Sequence, residues 1–230
     1  MHQLIRHAMR AAYTKSMCLN LSKKKSSLRK TASYQIFITA LFFCLSSHAA
    51  TPAEECNRLY DEGLMKLAIP LCTRAAEADN RPSQTILGEI YNEQGDSEKT
   101  AMWWVRASNA GYQPARNLLA MKYYYGGSVF GQEPGWDQDF TAAFKLWSED
   151  AKQGIASSQF MTGLMYFNGE GVEKNLSEAW FWLNLALENG YKLATDVLIE
   201  VSREITPDQK QIAIIKLSAY RNDENRIANE

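Results

Sequence analysis

Histidine is nearly missing: the 230 residues hold three, His2, His7 and His48, all before position 50. Everything downstream therefore lacks the general base of Ser-His-Asp and Cys-His catalysis and the commonest zinc ligand. Acidic residues are absent before Glu54. No apolar run approaches the roughly 20 residues of a membrane-spanning helix. Cysteine is sparse, with Cys18, Cys44, Cys56 and Cys72, and no Cys-x-x-Cys spacing that would suggest redox catalysis. Paired carboxylates such as Glu54 and Glu55 are adjacent, so on a helix they point to different sides and read as a solvated face. No catalytic residue, metal ligand set or cofactor is expected.

Charge is divided unevenly. Eight basic residues precede Glu54 (Arg6, Arg10, Lys15, Lys23, Lys24, Lys25, Arg29, Lys30), leaving 17 basic and 26 acidic side chains after position 50, a net charge of about −9. That field repels a phosphate backbone, so nucleic acid is not the expected partner. Residues 1–50 have the parts of a secretory signal: a basic stretch to Lys30, an apolar run from Ile36 to Leu45, and small residues at Ser47, Ala49 and Ala50. Cleavage is expected near Ala49 or Ala50, with Met17 an alternative true start, and leaves no membrane span. An uncleaved anchor and a mitochondrial transit peptide are the alternatives. The expected location is periplasmic or secreted.

Beyond the leader the sequence repeats. Ala75–Asn80, Ala107–Tyr112, Asp150–Ile155 and Ala186–Tyr191 align, each ending in a helix-stopping residue at Asp79, Gly111, Gly154 and Gly190, with spacings of 32, 43 and 36. Four residues after each break stands a small residue: Ser83, Ala115, Ser158, Ala194. Five further on stand Gly88, Ala120 and Gly163, then Tyr91, Tyr123 and Tyr166. Eight residues before each break stands Leu71, Trp103, Leu146 or Trp182, placed on the inner stripe of a second helix. The reading is helical hairpins over 53–79, 83–111, 115–154 and 158–190, a capping pair over 193–220 and a polar tail over 221–230. Pro70 is placed near a first turn, where a missing N–H costs little. Asn175 or Ser177 caps one helix, and Thr206-Pro207-Asp208-Gln209 opens the last one, with Ile212, Ile215 and Tyr220 turned toward the array.

The register of small residues, tyrosines, Gly169-x-Gly171-Val172, Ala179-x-x-Trp182 and Ala186–Gly190, clearest from Ser158 to Gly190, resembles the Sel-1-like repeat family, relatives of the tetratricopeptide repeats. The resemblance covers about Ala53 to Tyr220, with a shortened turn at Gly95-Asp96 and Leu146 where Trp is usual. It implies an all-α, right-handed α/α superhelix of about four hairpins plus a capping pair. It also implies an adaptor or scaffold that binds a protein or peptide. The acidic field favours a locally basic partner along a concave face. Cysteine-rich relatives linked to penicillin binding or weak β-lactamase activity supply the alternative, a cell-wall-binding protein or hydrolase.

Cys56 and Cys72 lie eight residues either side of Leu64, level on the arms of a hairpin, and can form a disulfide or remain two buried thiols. The longest turn, Gly126 to Asp137, carries Phe130 and Trp136. With Tyr124 and Tyr125 it is a candidate partner-binding surface, unless Trp136 folds back over the next helix. Of the adjacent tryptophans, Trp104 and Trp180 are expected to be the partly exposed members.

Overall fold

The computed structural model describes residues 50–126 and 136–228, with side chains to Asn222. The leader expected at 1–50, apart from Ala50, lies outside the described residues, as does Phe130. Among the described residues there are ten helices and no strand. They are α1 (Pro52–Asp61), α2 (Met65–Glu77), α3 (Arg81–Glu93), α4 (Ser97–Asn109), α5 (Gln113–Tyr125), α6 (Phe140–Lys152), α7 (Ala156–Asn168), α8 (Leu176–Glu188), α9 (Ala194–Glu204) and α10 (Pro207–Ala228). Each helix from α1 to α8 packs on its sequence neighbours, and α9 and α10 both pack on α8. This is a solenoid of four hairpins closed by a fifth pair.

Local chemistry sets the helix ends. Thr51 and Glu54 form a reciprocal capping box on α1, and Thr206 with Gln209 does the same for α10. Asn80, Asp96, Asp139 and Asn175 accept from backbone amides at the starts of α3, α4, α6 and α8, so Asn175, not Ser177, is the cap of α8. The repeat breaks Gly111, Gly154 and Gly190 have φ of 80°, 83° and 88°, and Asp79 holds the same left-handed turn at φ 60°. An L side chain there is strained.

The second and fourth hairpins share one contact. A Cβ on Gly88 would lie 2.2 Å from Cδ1 and Nε1 of Trp104, and one on Gly163 would lie 2.7 Å from Cγ of Leu183. The small residue on the first helix is the seat for a large one on the second. The residue seven positions before the break is buried in every unit, as Cys72, Trp104, Trp147 and Leu183. The inner stripe read from the sequence, one residue earlier, also meets the cores, with Trp103 and Trp182 inside them and Leu71 and Leu146 packed against them. Trp103 and Trp182 are buried, but Leu71 and Leu146 are only half-buried.

Three expectations change. Pro70 lies inside α2, a turn beyond its start, where its missing donor and ring cost about 3 kcal/mol. Ile212 and Ile215 face outward, each 60% exposed, while Ala213, Leu217 and Tyr220 face α8. The helix is rotated so that Leu217 and Tyr220 enter the core with Phe181, Trp182 and Leu185, and on its flanks Lys216 and Arg221 pair with Glu178 and Glu188 of α8, exposed contacts that add little. The expected tail over 221–230 continues α10 as far as Ala228.

The third hairpin carries a buried ion pair. Gln84 and Gln159, five residues past their breaks, donate to the carbonyls of Ala76 (3.0 Å) and Ala151 (3.2 Å), stitching each unit to the one before. The third unit has Arg116 at that position, paired with the fully buried Asp150, where the neighbouring hairpins have Ala107 and Ala186. Burial pushes the Asp150 carboxyl upward, against the pull of the Arg116 guanidinium.

Gly88→Ala is expected to overpack the Trp104 seat and lower stability by about 1–3 kcal/mol in urea unfolding; a neutral result would show that the indole can move aside. Asp150→Ala strands Arg116 and costs about 3–5 kcal/mol. The double variant Arg116→Gln with Asp150→Ala, which copies the second and fourth units, unfolds at a higher urea concentration than Asp150→Ala alone.

Candidate functional site

The sequence-derived candidates do not converge on one surface. Trp104 is 2% exposed, with its Nε1 donating to the Thr85 carbonyl at 3.2 Å, so the expectation of a partly exposed ring is corrected. The physical reason is the two-sided packing of second-layer helices: Trp103 fills the core shared with the first hairpin, while Trp104 fills the seat over Gly88. A wide arc of α4 is buried, and both neighbours fall inside it. Trp180 is half-buried on α8, its ring 6.0 Å from the Lys210 ammonium of α10, and it belongs to the C-terminal core.

Tyr124, Tyr125 and Trp136 gather at the end of α5. Trp136 packs on Tyr123 with ring centroids 5.6 Å apart, and the Lys122 ammonium lies 5.8 Å from its ring. The indole thus lies back over α5. Tyr124 is half-buried among Tyr125, Phe140 and Trp147, at 4.9, 5.1 and 5.5 Å, and its hydroxyl donates to Glu170 Oε2 at 2.7 Å. Burial and the Glu170 carboxylate push that phenol well above its ordinary value. Its position makes it a strut between the third and fourth hairpins. Tyr125 is the exposed member, at 37%. Trp136 and Tyr123 also line an open groove of about 820 Å³ with Asp96, Glu98, Asp137 and Asp139.

A second groove was not among the sequence candidates. The first helices α1, α3 and α5, with Ser157 at the start of α7, enclose about 610 Å³. Its wall repeats by register: Pro82 and Pro114 three residues past the break, Thr85 and Asn117 six, Ile86 and Leu118 seven, and Glu89 ten. Positions three, seven and ten lie on one helical face. That face of the repeat alignment was the available signal. Asn117 is anchored from behind, its Oδ1 accepting from Trp147 Nε1 at 2.9 Å. At the groove's α1 end stand Asn57, Tyr60 and Asp61. Tyr60 donates to Glu89, and burial with the nearby Glu89 and Glu93 charges pushes its phenol up to about 12. Burial likewise raises the Glu89 carboxyl, with Glu93 adding to the effect and Tyr60 opposing it.

Cys56 and Cys72 are joined by a disulfide across the α1–α2 hairpin, with Cα atoms 4.8 Å apart in the core of that hairpin. Among the described residues no cluster of three or more His, Cys, Asp or Glu could hold a metal ion, and no helix is long and apolar enough to cross a membrane.

The architecture is therefore that of an α-solenoid built from helical hairpins. The family model for the Sel1 repeat matches residues 156–191, the α7–α8 hairpin, so the chain carries a Sel1 repeat and has the fold of the Sel1-like repeat proteins. The chitin synthase regulator SKT5 of Saccharomyces cerevisiae is 30% identical over 162 residues, 65% of this chain and 22% of that protein. The ERAD-associated E3 ubiquitin-protein ligase component HRD3B of Arabidopsis thaliana is 28% identical over 104 residues, 45% of this chain and 16% of that one. Among solved structures, a protective antigen of uropathogenic Escherichia coli with an SLR fold superposes with a TM-score of 0.57 at 26% identity, over 67% of this chain and 32% of that one. A Sel1 repeat protein of Oxalobacter formigenes gives 0.54 at 22% identity, over 64% and 59%, a likeness of fold. The chain spans less than two thirds of each of these proteins. Sel1 repeats mediate protein–protein interaction and are typically scaffolds, not catalysts.

The disulfide closes a loop of about 17 residues, worth roughly 3 kcal/mol in the chain-entropy model. Cys72→Ala, or reduction, is expected to loosen α1 and α2 before the rest. Amide exchange would read this as faster exchange in α1 and α2, with α7 and α8 unchanged.

Proposed function

We propose that this chain is an exported adaptor that holds a protein or peptide partner, locally basic in charge, along the face made by its first helices. The observation that carries the reading is the open groove across α1, α3 and α5. It has proline and aliphatic walls and two carboxylates, Asp61 and Glu89, and among the described residues no basic side chain lines it. A net charge of about −9 after position 50 supports attraction of a basic partner and repulsion of an acidic one. Export is supported by the basic, apolar and small-residue order of residues 1–50 and by the Cys56–Cys72 bridge, a bond that persists in oxidising compartments. The location proposed is the periplasm or the exterior, with the leader removed near Ala49 or Ala50.

Site-specific photo-crosslinking tests the surface. A crosslinker at Ile86, in the groove, is expected to capture a discrete partner in the native envelope, and one at the exposed Met102 on α4 is not. Equal capture at both positions, or none at Ile86, would overturn the reading. Fractionation tests the location: the chain should leave the cytosol and begin near residue 50 by mass, and a full-length cytosolic chain would reject export.

A further inference from the structure

We infer that the groove across α1, α3 and α5 receives a lysine or arginine side chain of the bound partner, with the Glu89 carboxylate as its counter-ion. This deepens the adaptor reading and rests on it.

Four other acids, from the buried Asp150 to the exposed Glu188, already have partners in the chain. Asp150 has Arg116, Glu178 has Lys216, Glu188 has Arg221, and Glu170 has the Tyr124 hydroxyl and the Asn168 amide. Glu89 differs from the three ion-paired acids. It is half-buried in the groove wall, its neighbours are the Tyr60 hydroxyl and a second carboxylate, Glu93, and among the described residues no Lys or Arg forms an ion pair with it. A carboxylate withdrawn from water beside another acid is a site of negative potential that an incoming cation relieves.

The surroundings suit a long cationic side chain and not a bare ion. Ile86 and Leu118, with Pro82 and Pro114, form apolar rails for the methylene stem, while the charged head meets Glu89 and, at the α1 end, Asp61. The Tyr60 and Tyr112 rings also line the groove, and rings of this kind attract a cation to their faces. Since the Tyr60 hydroxyl donates to Glu89, the carboxylate is held in place before the partner arrives. A glutamate or aspartate of a partner would meet like charge, and a neutral side chain would leave Glu89 without its counter-ion.

The test uses fluorescent ten-residue peptides of alanine and serine with one central arginine, lysine, citrulline or glutamate, titrated into the purified chain at low salt. Arginine and lysine peptides are expected to bind at least tenfold more tightly than the citrulline peptide, with the difference shrinking at high salt. Glu89→Gln should remove the preference while leaving the urea midpoint close to that of the parent. Ile86→Lys, which places a cation of the chain's own in the groove, should abolish it independently. Equal binding of arginine and citrulline peptides, absence of binding by any cationic peptide, or a preference that survives both substitutions would overturn the inference. Capture at Ile86 with no charge preference would sink this inference and leave the adaptor reading standing. Charge-selective peptide binding with no partner captured at Ile86 would instead support the cation site and reject the adaptor reading.

Discussion

The seating of a large side chain from the second helix on a small residue of the first, in the second and fourth hairpins, is the contact on which the rest depends. Trp104 over Gly88 and Leu183 over Gly163 bring two helices closer than a pair of ordinary side chains would allow. The close approach sets the tilt of each hairpin, and the hairpin's tilt sets where the next one packs. A methyl group in either seat would push the pair apart, and in an array of nearest-neighbour contacts that displacement is handed to the next unit. The groove depends on the same seats. Its walls are the outer faces of α1, α3 and α5, and two of its residues are tied to the buried tryptophans, Thr85 through its carbonyl to Trp104 and Asn117 through its side chain to Trp147.

The units are equivalent in geometry but not in chemistry. Gln159 completes a polar stitch by donating to Ala151 and accepting from Asn189 at 2.9 Å. Gln84 repeats half of it, because Ala110 stands where the fourth unit has Asn189, and its Oε1 is left without a partner. The third unit replaces the stitch with Arg116 and Asp150. Such a buried pair adds little net stability but tolerates only one arrangement of the two helices. It sits in the hairpin whose two helices, α5 and α6, are separated by the longest stretch of sequence.

The groove and the tyrosine cluster at the end of α5 answer to different demands. Tyr124 and Trp136 are spent on contacts within the chain: Tyr124 reaches Glu170 in the next hairpin, and Trp136 covers Tyr123. Glu89 and Asp61 instead face a cavity that, among the described residues, is lined by no cation. Aromatic richness marked the first region in the sequence, yet large rings in a repeat are the residues most readily absorbed by the core. The second region was inconspicuous because its residues are ordinary ones, and only their common orientation makes a surface.

The hairpins themselves were legible from the order of residues alone. Glycines at the breaks, small residues four and nine positions later, and side-chain caps are local requirements of backbone geometry, so the helices α3 to α8 begin and end within about two residues of the positions that those signals mark. Packing in three dimensions decided that both adjacent tryptophans, Trp103 and Trp104, are hidden, how α10 is rotated, and which face lies open to a partner. These outcomes depend on what packs against a helix from the far side: Trp104 is buried because α4 is covered by two neighbours, and Ile212 and Ile215 are exposed because Leu217 and Tyr220 are the residues that meet the core around α8. Periodicity along one helix cannot carry that information, because it gives the direction of each side chain and not the identity of the surface it meets.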